Sequence, residues 1–99
     1  MLHILRHSPH AQSCFASCLR TINARQSLLL IEDAVYGLFP GTSSRSALEY
    51  LPATVRLYAL DVELQARGLA LDDIPTRATI INYAMMVELT VEHHKVVSW

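Results

Sequence analysis

Ser27-Leu28-Leu29-Leu30-Ile31-Glu32-Asp33-Ala34-Val35-Tyr36-Gly37-Leu38 is the stretch that decides the fold. Leu28 to Ile31 are four consecutive aliphatic residues, too few for a helix of their own and without polar alternation. A strand buried on both faces reads this way, which predicts a central strand of a parallel sheet. Glu32 and Asp33 then end the apolar run abruptly, at the carboxyl end of the strand, where ligands and partners dock in open α/β sheets. The pair has two readings. Either the carboxylates cap the next helix, Asp being a favoured N-cap, or they face a partner.

Outward from this strand the pattern alternates. Leu2–Leu5 is a short strand, and Ser8-Pro9 resembles an N-cap with proline at the first helical position. Ala11, Cys14, Phe15, Cys18, Leu19 and Ile22 share one helical face, which predicts a helix from about Pro9 to Ala24. Helical signals resume over Asp33–Leu38 and break at Phe39-Pro40-Gly41-Thr42. A second helical piece over about Ser44–Tyr50 ends before Pro52. Val55–Ala59 reads as a strand, Asp61 caps a helix that ends at Gly68, and Ala70–Pro75 connects to a strand at Ala78–Ile81. A helix over about Ala84–His93 and a terminal strand at Val96–Trp99 complete the chain. Such alternation predicts one three-layer α/β domain over residues 1–99. Its sheet has about five strands, mainly parallel, with helices on both faces. The expected strand order is flavodoxin-like.

Composition bounds what such a domain does. A chain of 99 residues buries about 65% of its unfolded surface, enough for one core but not for a deep enclosed site. With 52% hydrophobic and 17% charged residues and a mean hydropathy of +0.25, polar side chains are too few to cover a lone monomer. Another subunit is therefore expected against some of its apolar surface. The net charge of −1 gives no field toward nucleic acid or an anionic membrane. No apolar run approaches the roughly 20 residues that span a bilayer. The amino terminus lacks signal-peptide character, so a cytoplasmic protein with reduced Cys14 and Cys18 is expected.

Chemistry-bearing motifs are sparse. Gly37, Gly41 and Gly68 form neither GxGxxG nor a P-loop, and Ser43-Ser44 has no nucleophile-elbow context. His3, His7 and His10 straddle a strand end and a helix start, while His93-His94 diverge on a helix end that favours cations; no metal or cofactor is expected. The arginines are scattered singly along the chain, with no aromatic-interleaved basic patch, so direct nucleic-acid recognition is not expected. Cys14 and Cys18 lie four apart on one helical face, and Cys18 sits near the middle of the apolar stripe. Core packing and a reactive thiol are the two readings of Cys18. Trp99 either packs back on the domain or anchors a partner.

Together these residues resemble the TusB/DsrH family. The likeness rests on Met1-Leu2-His3-Ile4-Leu5 with Ser8-Pro9, on Leu28–Leu38 with Glu32-Asp33, and on Leu57-Tyr58-Ala59-Leu60 running on to Ala66-Arg67-Gly68-Leu69. It continues through Ile81-Asn82-Tyr83, Val87-Glu88-Leu89-Thr90-Val91-Glu92-His93 and the final Trp99, and so covers essentially the whole chain. The resemblance implies a sulfur-relay subunit within a hetero-oligomer, rather than an independent catalyst. It supports 2-thiolation of the tRNA wobble uridine beside TusC/TusD-like subunits and passes sulfur on to a downstream carrier protein. The main persulfide cysteine then belongs to a partner. Cys18 falls where DsrH-type chains carry a cysteine, so the alternative implied is a DsrH-like role in dissimilatory sulfur oxidation, beside DsrF/DsrE-like subunits, with Cys18 as active thiol. From another class, a stand-alone homo-oligomeric binding domain without sulfur chemistry fits the composition. Glu32, Asp33 and Trp99 are the candidate partner contacts.

Overall fold

Ser27–Leu30 forms β2, and all four of its residues are buried. The strand lies in the middle of a five-stranded sheet, in the computed structural model that describes residues 1–10 and 13–99. The other strands are β1 (Leu2–Leu5), β3 (Arg56–Leu60), β4 (Ala78–Ile81) and β5 (Val96–Ser98). Their order across the sheet is β4-β3-β2-β1-β5, and every neighbouring pair is parallel. Among the described residues four α-helices connect them: α1 (Cys14–Thr21), α2 (Ser43–Glu49), α3 (Asp61–Ala66) and α4 (Tyr83–Glu92). Short 3-10 helices span Glu32–Leu38 and Leu71–Asp73.

The order corrects the flavodoxin-like expectation. From β1 to β4 the chain always steps to the next strand outward, and only the connection to β5 reverses. Right-handed crossovers then place α1, α2 and α3 on one face and α4 alone on the other. The two cores follow this division. On the first face Leu5, Leu28, Leu30, Leu57 and Ala59 meet Phe15, Cys18, Leu48 and Leu64. On the second, Leu2, Leu29, Leu60 and Ile81 meet Leu89, with Met86 packed alongside. Alternation along β2 sends Leu28 and Leu30 to one core and Leu29 to the other, which is why its three leucines follow one another without polar alternation.

Local starts and stops differ from the sequence-based expectations where short polar side chains compete for the backbone. Ser8 does not cap a helix at Pro9. Its Oγ accepts from the His10 N–H at 3.2 Å, closing a turn, and α1 begins at Cys14. The predicted apolar position at Ala11 lies outside the described residues. At the other end Ile22 turns extended, so the helix stops short of Ala24. Asp61 is the first residue of α3 rather than its cap; its carboxylate accepts from the Val62 N–H at 2.7 Å. Asn82 does cap α4, accepting from the Met85 N–H at 2.9 Å.

Gly37 shows how tightly the first face is packed. A Cβ there would lie 2.8 Å from Phe15 Cζ and 3.3 Å from Leu48 Cδ1, so these buried side chains must shift to admit it. Gly37→Ala is expected to cost about 1–3 kcal/mol. In a domain of this size that lowers Tm by roughly 4–8 °C per kcal/mol, which thermal unfolding followed by circular dichroism would read.

Candidate functional site

Cys18 lies mid-way along α1 with its side chain completely buried among the first-face core. Burial pushes its thiol up from 9.0 to about 12, because the thiolate loses hydration that no local cation replaces. Cys14, one turn earlier, is only partly buried, and the two are thiols rather than a disulfide. As built, α1 offers Cys18 as a small hydrophobe; nucleophilic use of this sulfur requires the helix to leave the sheet.

Trp99 continues β5, its N–H donating to the Ile4 carbonyl at 2.8 Å. The indole packs against the first-face core and stacks on His3 with centroids 6.2 Å apart. Trp99 Nε1–H donates to His3 Nδ1 at 3.1 Å, and His3 Nε2 lies 2.8 Å from Gln26 Oε1. An acceptor at Nδ1 and a donor at Nε2 define the neutral Nε2–H imidazole. The carboxyl-terminal aromatic, β1 and the turn before β2 are thereby tied into one chain of bonds.

Glu32 and Asp33 sit at the carboxyl end of β2, both exposed. Neither carboxylate caps the 3-10 helix, which corrects the capping expectation. Glu32 instead holds a left-handed backbone with φ of 48°. That turn lets the chain leave the strand and drop Ala34 and Val35 into the core. Asp33 Oδ1 accepts from both Arg67 Nη2 (2.8 Å) and Nε (3.0 Å), and Arg67 Nη1 donates to Glu63 Oε2 at 2.6 Å. The guanidinium also lies 5.8 Å above the Tyr36 ring. Burial pulls the Arg67 pKa down, but the two carboxylates outweigh it and hold the group above its ordinary value. Asp33 thus joins the end of β2 to α3 and remains reachable from outside. Among the described residues, no cluster of three or more His, Cys, Asp or Glu side chains has metal-ligand geometry.

The second face carries the feature that sequence reasoning missed. Of the ten residues of α4, Leu89 is buried, whereas Tyr83 (54%), Val87 (56%) and Val91 (79%) are exposed. Spaced i, i+4, i+8, they form one apolar stripe on the side of the helix away from the sheet. Met85 and, on β5, Val96 add further exposed apolar surface; Val96 pairs with Leu2 and so belongs to this face of the sheet. A signal was present in the sequence: Tyr83-Ala84-Met85-Met86-Val87 is apolar on more sides than one sheet can cover. Among the described residues, no helix is long and apolar enough to cross a membrane.

Comparison with known proteins agrees with this architecture. A family profile described as DsrH like protein matches residues 7–96. The chain is 35% identical to Protein TusB of Erwinia tasmaniensis and of Escherichia coli, and 37% identical to Protein TusB of Serratia proteamaculans. Each alignment spans 99 residues, the whole of both chains. Among solved structures, the ychN protein from E. coli superposes with a TM-score of 0.84 at 19% identity, over 99% of this chain and 97% of that one. A protein of unknown function from Methanobacterium thermoautotrophicum gives 0.73 at 17% identity, over 99% and 96%. The two structures bear on the fold alone, and the sequence relatives carry the kinship further. With a match along nearly its entire length in sequence and the same layered sheet beneath it, the chain belongs to the DsrH-like family.

Proposed function

We propose that this chain is a subunit of a cytoplasmic sulfur-relay complex that supports 2-thiolation of the tRNA wobble uridine. Its part is positional: it holds a partner's persulfide cysteine where donor and acceptor proteins dock. Full-length kinship with proteins named TusB supports the relay. The observation that carries the positional role is Cys18. Persulfide transfer needs an accessible thiolate to attack the outer sulfur, and this thiol is buried with its pKa pushed up to about 12. The sulfur-bearing residue is therefore assigned to TusC/TusD-like subunits, and the exposed apolar side of α4 to their docking.

Co-expression with TusC- and TusD-like chains tests this. The expected result is a mixed complex that survives size-exclusion chromatography. Its persulfide is found by mass spectrometry on a partner cysteine and is unchanged in amount by Cys18→Ala. A chain that stays apart from both partners overturns the relay reading. Persulfide on Cys18 would instead favour the DsrH-like alternative, in which this thiol is active.

A further inference from the structure

The arginines that look scattered along the chain are not all scattered in space. At the amino end of the sheet, Arg25, Ser27, Ala53, Thr54, Arg56 and His93 line an open cleft of about 610 Å³. The Arg25 and Arg56 side chains make no ion pair or hydrogen bond with any described residue. Other arginines of the chain are differently used: Arg67 is paired with carboxylates, and Arg77 donates to the carbonyls of Glu49, Leu51, Pro52 and Val55.

The backbone fixes these two arginines, unpaired among the described residues, on the wall of one cleft. Arg25 adopts a left-handed φ of 68°, a conformation that costs a non-glycine residue energy. It is clamped by its N–H donating to Thr54 Oγ1 at 3.2 Å. Arg56 is clamped by its N–H donating to the Gln26 carbonyl at 3.1 Å. The Thr54 hydroxyl accepts from Arg25 and so keeps its own proton to donate. His93 Nδ1 bonds to the Leu89 carbonyl at 2.7 Å, leaving Nε2 as the ring nitrogen available to the cleft. The carboxyl end of α4 opposes these cations with about half a negative charge, a quarter of what two guanidiniums supply. The balance favours an anion.

We propose that this cleft binds a dianionic tetrahedral oxyanion of the phosphate class, held between Arg25 and Arg56. Charge-assisted bonds from guanidinium forks suit such an oxyanion, and hydroxyls from the rim complete its shell. An adjoining depression of about 450 Å³ along Tyr58 and Thr79 shares Ala53 and Arg56 with the cleft. It gives room for an organic group attached to the oxyanion. The site is at the opposite end of the strands from Glu32 and Asp33 and stands independently of any sulfur chemistry.

Titration of the full chain, in the form in which it purifies, with inorganic phosphate or with adenosine monophosphate tests the proposal. Ionic strength is held constant with chloride, and amide chemical shifts are followed by NMR. The expected result is saturable shifts at Arg25, Thr54 and Arg56, weakened about tenfold or more by Arg25→Gln or Arg56→Gln. Arg6→Gln, at the other end of β1, leaves them unchanged. Tighter binding of the nucleotide assigns an organic phosphate, and equal binding assigns free phosphate. Shifts that do not saturate, or saturable binding that both glutamine variants retain, would overturn the site. Both substituted side chains are unpaired and exposed, so a Tm equal to that of the parent chain confirms that folding is not what changed.

Discussion

Iodoacetamide is expected to modify Cys18 at least about a thousandfold more slowly in the folded chain than in the unfolded one. Only the thiolate reacts. Raising the thiol from 9.0 to about 12 removes about three powers of ten of thiolate at any pH below 9. Steric enclosure adds to this, since the side chain has no solvent contact. Labelling followed by peptide mass spectrometry reads the rate site by site. A rate within tenfold of the unfolded chain would mean that α1 opens readily and that Cys18 is available to sulfur donors. The same burial has a thermodynamic signature. The folded state keeps this proton to a higher pH than the unfolded state does. Stability attributable to it is complete below pH 9 and falls as pH rises toward 12, by about 1.4 kcal/mol per unit. Cys18→Ala removes that slope at the cost of a small cavity. The difference in urea midpoint between the two chains should therefore shrink, and then reverse, across that window.

How far such a site was legible from the residues differs from one feature to another. Leu28–Ile31 announced a strand buried on both sides, and β2 is the middle strand of the sheet. Cys18, at the centre of the apolar stripe of α1, was placed correctly by periodicity because a helical wheel needs only local geometry. Strand order was not, since it depends on which face each crossover docks against. That choice is made by contacts such as Val35 and Leu48 joining Phe15 in one core. Pairings across long stretches of chain were equally out of reach. Asp33 meets Arg67, and Arg25 and Arg56 line one cleft, because β2 and β3 are neighbours in register. A run of sequence shows charges singly; a parallel sheet collects them at its ends. Glu32 carries no sign of its left-handed backbone, because nothing in a glutamate favours one.

The outer side of α4 yields the other large effect. Val87→Lys is expected to leave the isolated fold intact and to reduce affinity for TusC/TusD-like partners by about 30-fold or more. Val87 is more than half exposed, so the substitution removes little from the core. Lysine is also the better helix former by a few tenths of a kcal/mol. In a complex the same ammonium would be buried against apolar surface without a partner charge, a cost of about 2–5 kcal/mol. Tyr83→Ala acts on the same stripe by deleting an aromatic anchor, for which losses of about 2 kcal/mol or more are typical. Gln65→Lys, exposed on α3 across the sheet, is the control and leaves assembly untouched. Partner affinity by surface-bound titration, read beside Tm, separates the two effects. If Val87→Lys and Gln65→Lys bind partners equally well, the α4 stripe is not the docking surface. Among the described residues the sheet has α1, α2 and α3 on one face and on the other α4, whose solvent side is apolar, and that imbalance is what a sister subunit would correct.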